Sequence, residues 1–310
     1  MKIDKFDFTD NLVLAPMAGV SDVGFRYLCS KYGASATFSE MLSCRAMLNN
    51  PKKTEYMTQS TEEEKIKIGQ IFGHEEDIMV QALKSSLLQN YDIIDINMGC
   101  PAPKIVKNGE GSALMKDILK AKSIISSVVK ASEKPVSVKF RLGYDRDISL
   151  AFGRMCEESG ASFITLHGRT ATQGYSGHVN LEAIAKLKAG VKIPVIGNGD
   201  VSDVKSYKDM LATNVDAVMI GRGAQGRPWI FAQLLGKGGN ISAEEKLSAI
   251  KTHVEILRRH YDESWLTLYL RKHFLWYTSQ LPNAAKKRAL LATSPSIENS
   301  MEIIEELFCK

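Results

Sequence analysis

The chain has 310 residues, 44% of them hydrophobic, and 40 Lys and Arg against 35 Asp and Glu give it a formal charge of +5. These are the proportions of an ordinary globular protein able to bury a sizeable core, and its mild basicity admits a polyanionic partner without requiring one. The charged opening, MKIDKFDFTDN, offers no secretory apolar segment, and no apolar run nears the ~18 residues of a membrane span, so a cytoplasmic protein without membrane attachment is expected. Cys29, Cys44, Cys100, Cys156 and Cys309 are scattered and form no C-x-x-C pair, so neither a disulfide framework nor a metal site is expected.

Along the chain, short β-branched apolar runs closed by Gly, Pro or a polar residue alternate with longer segments of helical spacing. Strands are expected at 11–17, 36–41, 65–72, 93–99, 135–141, 163–168, 193–199 and 217–223, with helices between them such as EDIMVQALKSSLLQN and KAKSIISSVVKAS. Alternation implies a parallel sheet. Eight units within residues 1–235 fit an α/β fold of the (β/α)8 TIM-barrel kind, whose strands read as continuous apolar runs because both faces are buried. After Phe231 the strand pattern stops, GKGGN at 236–240 forms a turn-rich join, and residues 240–310 read as a small all-helical domain. Its basic clusters RRH, RKH and KKR are offset by carboxylates and read equally well as solvated helix faces.

In such a barrel the active site lies where the strands end. The expected ends are APMAG, SEM, GQIFG, NMGCP, KFRLG, HGRT, GNGD and GRG, so nearly every one carries an unusual polar residue or glycine. The last two are suited to a phosphate, bound after strands seven and eight. Gly221, Gly223 and Gly226 satisfy G-x-G-x-x-G, but they follow the last strand, and a dinucleotide fold needs that motif in an early βαβ unit. Lys139 sits within an apolar strand and must find a negative partner or lose its proton. An anionic ring system together with a phosphate points to flavin mononucleotide (FMN), with His167 and Gln70 as further polar contacts.

Taken together, LAPMAGVSD, SEM, QIFG, DINMGCPAPKIVKNGEGSALM, KPVSVKFRLG, HGRT with GYSG, IPVIGNGDV and GRGAQGRPWIF resemble the tRNA-dihydrouridine synthases, nearest their B-type bacterial branch. The resemblance covers almost the whole chain. It implies an FMN-dependent oxidoreductase that reduces a uridine of tRNA to dihydrouridine, with NADPH or NADH as reductant and ribosomal RNA as a second target to be tested. Residues 1–235 would be the FMN-binding catalytic domain and 240–310 the RNA-binding domain. By the same resemblance Pro16, Met17 and Ala18 would pack on the flavin, Gln70 and Lys139 would bind its ring, and His167 would help to hold the ring edge and phosphate. Asn198, Gly199, Asp200, Gly221 and Arg222 would hold the ring edge and phosphate. Asn97, Arg141 and Arg169 would bind substrate, and Cys100 would be the catalytic acid. The chain departs from the family pattern at Ala171, where another Arg is common, and at His178, Val179 and Asn180, where acidic and aromatic residues are usual. An altered RNA channel is expected there.

The chemistry of Cys100 agrees with that role. A thiol with an ordinary pKa near ~8.5 is mostly protonated at neutral pH yet able to release its proton. A nucleophile would want an adjacent His or Lys, which NMGCPAP does not supply. Two other readings use the same residues: an FMN barrel that reduces a small enone or dihydroorotate-like molecule, and a non-catalytic RNA-binding module on a former flavin barrel.

Overall fold

The structure, a computed structural model, describes residues 1–238, 241–282 and 284–308. Eight strands form its centre: β1 (Leu12–Leu14), β2 (Ala36–Phe38), β3 (Lys67–Phe72), β4 (Ile93–Met98), β5 (Val136–Arg141), β6 (Phe163–His167), β7 (Val195–Asn198) and β8 (Ala217–Ile220). Each pairs in parallel with the next, and β8 returns to β1 with Ile220 opposite Leu14, so the sheet closes into the expected (β/α)8 barrel. Every expected strand is present, and several are shorter. β1 ends before Pro16, which has no N–H to give the ladder, and β4 to β8 end before or at the polar or glycine residue that turns the chain out of the sheet.

A hairpin of Lys2–Ile3 and Phe6–Asp7 precedes the barrel. It leads Phe8 into the barrel interior, where its fully buried ring meets Phe163 edge-on at 5.8 Å. Among the described residues no helix is long and apolar enough to cross a membrane.

Beyond the barrel come four helices, Ala243–Arg258, Glu263–Tyr277, Ala285–Thr293 and Ile297–Phe308. Of the join expected at 236–240, Gly239 and Asn240 lie outside the described residues, as does Cys309. The first of these helices packs on the helix Val23–Lys31, whose Val23 and Leu28 share one buried apolar cluster with Ile250, Leu257, Leu266 and Phe274. Approach is close: a Cβ on Gly24 would lie 2.5 Å from the His253 ring. At this seam the buried Asp22 carboxylate caps Phe25 N–H, meets His253 Nε2 at 2.9 Å and accepts the Tyr269 hydroxyl at 3.0 Å. Burial would raise the Asp22 carboxyl, but His253, His273 and the Phe25 amide hold it far below its ordinary range. The helical segment is thus fixed to the barrel by an apolar face and a buried polar clamp.

Candidate active site

A cavity of about 1200 Å3 opens at the C-terminal ends of the strands. Pro16, Met17 and Ala18 after β1 form one wall. Asn97 and Cys100 of β4 and its loop, with Lys139 and Arg141 of β5, form the next, and His167, Asn198, Gly199, Asp200, Gly221 and Arg222 complete the circuit. Trp276, Ser279 and Gln280 close it from the helical segment. The structure therefore gathers the residues expected from the sequence, with two exceptions. Gln70 and Arg169 stand behind the wall, 0% and 2% exposed.

Gln70 is part of a chain of hydrogen bonds that ends at Cys100. Asp95, fully buried, accepts Ser137 Oγ at 2.6 Å and Gln70 Nε2 at 2.7 Å. Gln70 Oε1 then accepts Asn97 Nδ2 at 2.8 Å, and Asn97 Oδ1 accepts the backbone N–H groups of Gly99 and Cys100 at 3.2 and 3.0 Å. Strand register builds this chain, since Gln70 lies opposite Asp95, and Asp95 opposite Ser137. Both polar ends of Asn97 are engaged in it, so this cavity-lining amide also fixes the turn that carries the thiol. Burial pushes the Asp95 carboxyl up to about 7, against the pull of Ser137, Gln70 and Lys139. It also pushes the half-buried Cys100 thiol up, only partly opposed by the Ala102 amide, Arg141 and Lys139, which keeps the sulfur protonated.

The other side of the cavity is cationic. Lys139 Nζ reaches Asn198 Oδ1 at 3.2 Å, and burial with the neighbouring Arg141 lowers its pKa to about 8. Burial, and then Lys139, Arg141, Arg169 and Arg222, hold His167 well below its usual range, so its imidazole is neutral. Arg141 lines the cavity but donates to the backbone carbonyls of Gly99, Thr170 and Gly174 at 2.9 to 3.0 Å, bracing the Cys100 turn from this side. Arg169 donates to Ser176 and Gly177 carbonyls and to Asp200 at 2.6 Å, so its guanidinium ties the loop after β6 to the loop after β7. Asp200 is further shared with Arg222 at 3.4 Å. Lys139 has no carboxylate of its own within ion-pair distance among the described residues, and the acid on this wall is already held by two arginines. This donor set fits a flat, anionic, phosphate-bearing ligand.

Sequence reading gave no role to Tyr175 or Trp276. Tyr175 lies in the GYSG loop, with the Arg222 guanidinium 4.4 Å from its ring centre, and Trp276 lies in a segment whose spacing signals only a helix. Ala171 lines the cavity and is buried, whereas His178 is exposed outside it.

A sequence model described as dihydrouridine synthase matches residues 13–308. The tRNA-dihydrouridine synthase B of Vibrio cholerae is 37% identical, over 99% of this chain and 98% of its own length. The chain belongs to the dihydrouridine synthase family. A probable tRNA-dihydrouridine synthase of Rickettsia conorii is 38% identical, over 93% of this chain and 90% of that protein. Among solved structures, an old yellow enzyme homologue from Zymomonas mobilis shares the barrel fold, with a TM-score of 0.53 and 11% identity over 77% of this chain and 92% of that one. As a dihydrouridine synthase the protein is a flavin-dependent oxidoreductase, and its cation-lined cavity lies where barrel enzymes carry their chemistry.

Proposed function

We propose that the protein reduces the C5=C6 bond of a uridine in tRNA to 5,6-dihydrouridine, with FMN as its resident cofactor and NADPH as reductant. The observation that carries this reading is a thiol, Cys100, held at the cavity wall by a hydrogen-bond chain on one side and by Arg141 on the other, where burial favours its protonated form. When bound, FMN supplies hydride to C6 of the uracil, and NADPH supplies the electrons that restore it. Pro16, Met17 and Ala18 offer that cofactor an apolar wall. Lys139 and Asn198 serve its ring edge, His167 offers a neutral imidazole, and Gly199, Gly221 and Arg222 serve its phosphate. Asp200, which the two arginines hold, orients Arg222.

As C6 is reduced, negative charge moves through C5 to the C4 carbonyl, and the cations around the cavity favour that charge. Cys100 holds the proton at Sγ and delivers it to C5; the thiolate left behind is stabilised by Arg141 and Lys139 until it is reprotonated. Asn97 keeps Gly99 and Cys100 in register for this transfer. A uridine stacked in RNA cannot reach the cavity floor, so the target base must be turned out of its stack. The helical segment, residues 240–310 of the expected division, supplies Trp276 and Gln280 to the mouth and would contact the surrounding RNA, chiefly through shape and phosphates.

The test is Cys100→Ala in single turnover, following reoxidation of the reduced flavin by unmodified tRNA. Loss of an acid predicts a fall of about 10²-fold or more. An undiminished rate would remove Cys100 from the mechanism. If the wild-type enzyme were reoxidised by small enones but not by tRNA, the substrate would instead be a small molecule.

A further inference from the structure

The loop that carries Cys100 walls two cavities. Residues 99–103 face the first, while Lys104, Ile105, Asn108 and Glu110 line a second of about 540 Å3, together with Phe72 and His74. That volume suits a single nucleoside. Phe72 and Ile105 are half-buried and give the cavity apolar sides, and Lys104 stands exposed at its rim.

Its polar groups are not matched to one another. Glu110 is only 8% exposed, and its carboxylate accepts no hydrogen bond from any described side chain or backbone N–H. The nearest basic atom, His74 Nδ1, is 3.6 Å away and is itself buried without a hydrogen bond. A largely buried carboxylate that receives no donor from the chain but keeps access to the cavity must take its hydrogen bonds from water or from a ligand there. Of the other cations that line the cavity, Arg45 is paired with Glu75 and Lys104 stands at the exposed rim.

A carboxylate flanked by apolar side chains selects a base that offers two adjacent N–H groups. Guanine does so with N1–H and its N2 amino group. Uracil offers one N–H between two carbonyls, while adenine and cytosine set an acceptor beside their amino group. Unpaired bases in RNA are commonly read in this way, between apolar faces and along the Watson–Crick edge.

The cavity is also mechanically joined to the acid. Gly111 has φ +59°, and a Cβ there would lie 2.7 Å from the Cys100 carbonyl oxygen and 2.9 Å from Ile105 Cγ2. The same carbonyl accepts Ser112 N–H at 3.0 Å. An occupant pressing on Ile105 and Glu110 therefore bears on the backbone of Cys100.

We propose that this second cavity binds an unpaired guanine of the same RNA, near the target uridine, through the Glu110 carboxylate, and that its occupation seats the Cys100 loop. The proposal rests on the reading of the protein as an RNA uridine reductase and adds to it a base that the enzyme requires beside its target.

The experiment uses holoenzyme and unmodified tRNA transcripts in which each unpaired guanosine near the reduced uridine is replaced in turn by inosine, which lacks the N2 amino group. At one position the wild-type KM should rise about tenfold, the effect of losing a hydrogen bond to a charged group. Glu110→Gln should raise KM for the unsubstituted transcript by a similar factor and be indifferent to inosine at that position. Flavin absorbance and the rate of flavin reduction by NADPH report whether the variant has kept its fold; if it has not, Glu110→Asp, which shortens the reach of the carboxylate, takes its place. The proposal is overturned if no inosine position alters the wild-type KM, or if the protein and RNA changes are fully additive. A wild-type enzyme that formed no dihydrouridine in any transcript would instead overturn the parent reading, before any guanine was tested.

Discussion

The two sides of the cavity are built on different principles. On the β3–β4 side a chain of uncharged amides, anchored on Asp95, fixes the position of a thiol, and every link has its partner. On the β5–β8 side four cations, Lys139, Arg141, Arg169 and Arg222, stand against one carboxylate, Asp200, which Arg169 and Arg222 already share, and Lys139 is left with only an amide oxygen. A saturated network holds geometry, whereas an unbalanced one holds a ligand. The first side therefore suits proton delivery, which demands position, and the second suits binding of an anion, which demands uncompensated charge.

The sharpest way to break this contrast is Lys139→Met, which keeps the length of the side chain and removes its charge. If Lys139 is the buried counter-charge of the flavin, affinity for FMN should fall by about 30-fold or more, the scale expected when one member of a buried charge pair is removed. Fluorescence titration of the apoprotein with FMN measures it. An unchanged affinity would mean that the uncompensated cation serves the RNA instead.

The opposite side is tested by Asp95→Asn. An amide at 95 presents N–H as well as oxygen to Gln70, which allows the Gln70 and Asn97 amides to reverse and release the Cys100 turn. The rate of RNA reduction should fall by about tenfold, the cost of a misplaced acid, while FMN affinity, set on the far wall, should be much less affected. A loss of equal size in both would show that the two sides do not act separately. The pH dependence of stability gives a second readout. Folding raises the Asp95 carboxyl from its ordinary 3.8 to about 7, so between these values the folded protein holds a proton that the unfolded chain has released. The contribution of Asp95 to stability is therefore greatest below pH 3.8, falls through that window and levels off above it. Asparagine removes the slope. Thermal melts should show the variant gaining on the wild type as pH rises from 5 to 8, whatever its standing at pH 5.

This contrast also marks what the sequence could show. The barrel was legible because strands buried on both faces leave continuous apolar runs, and the polar lining of its cavity was legible because it collects where those runs end, at Cys100, Lys139, His167 and Asn198. The amide chain was not. Gln70, Asp95 and Asn97 meet only through the register of β3 on β4, which no local pattern encodes, so the bonds of Gln70 to Asp95 and Asn97 could not be read from the sequence. The partners of Arg169 were hidden for a related reason. Its place after β6 suggested the cavity, but the loop folds back and supplies the carbonyls of Ser176 and Gly177 to its guanidinium. Trp276 depends on how a distant helix docks, which its own spacing does not specify. The hairpin at 2–7 is too short for periodicity to declare.

The smallest expected effect separates a buried cation from an exposed one within the same side. Arg222 is half-exposed, paired with Asp200 and covered by the ring of Tyr175, itself 59% exposed. Water screens such a charge, so Tyr175 orients Arg222 more than it strengthens it. Tyr175→Ala should weaken FMN binding by only about 2- to 5-fold, the value of an exposed cation–π contact, and Tyr175→Phe, which keeps the ring, should bind as the wild type does. The titration is the one used for Lys139→Met, so the two losses are directly comparable. If removing the exposed ring cost as much as removing the buried charge, affinity on this side would follow the covering of the phosphate rather than the burial of an unpaired lysine.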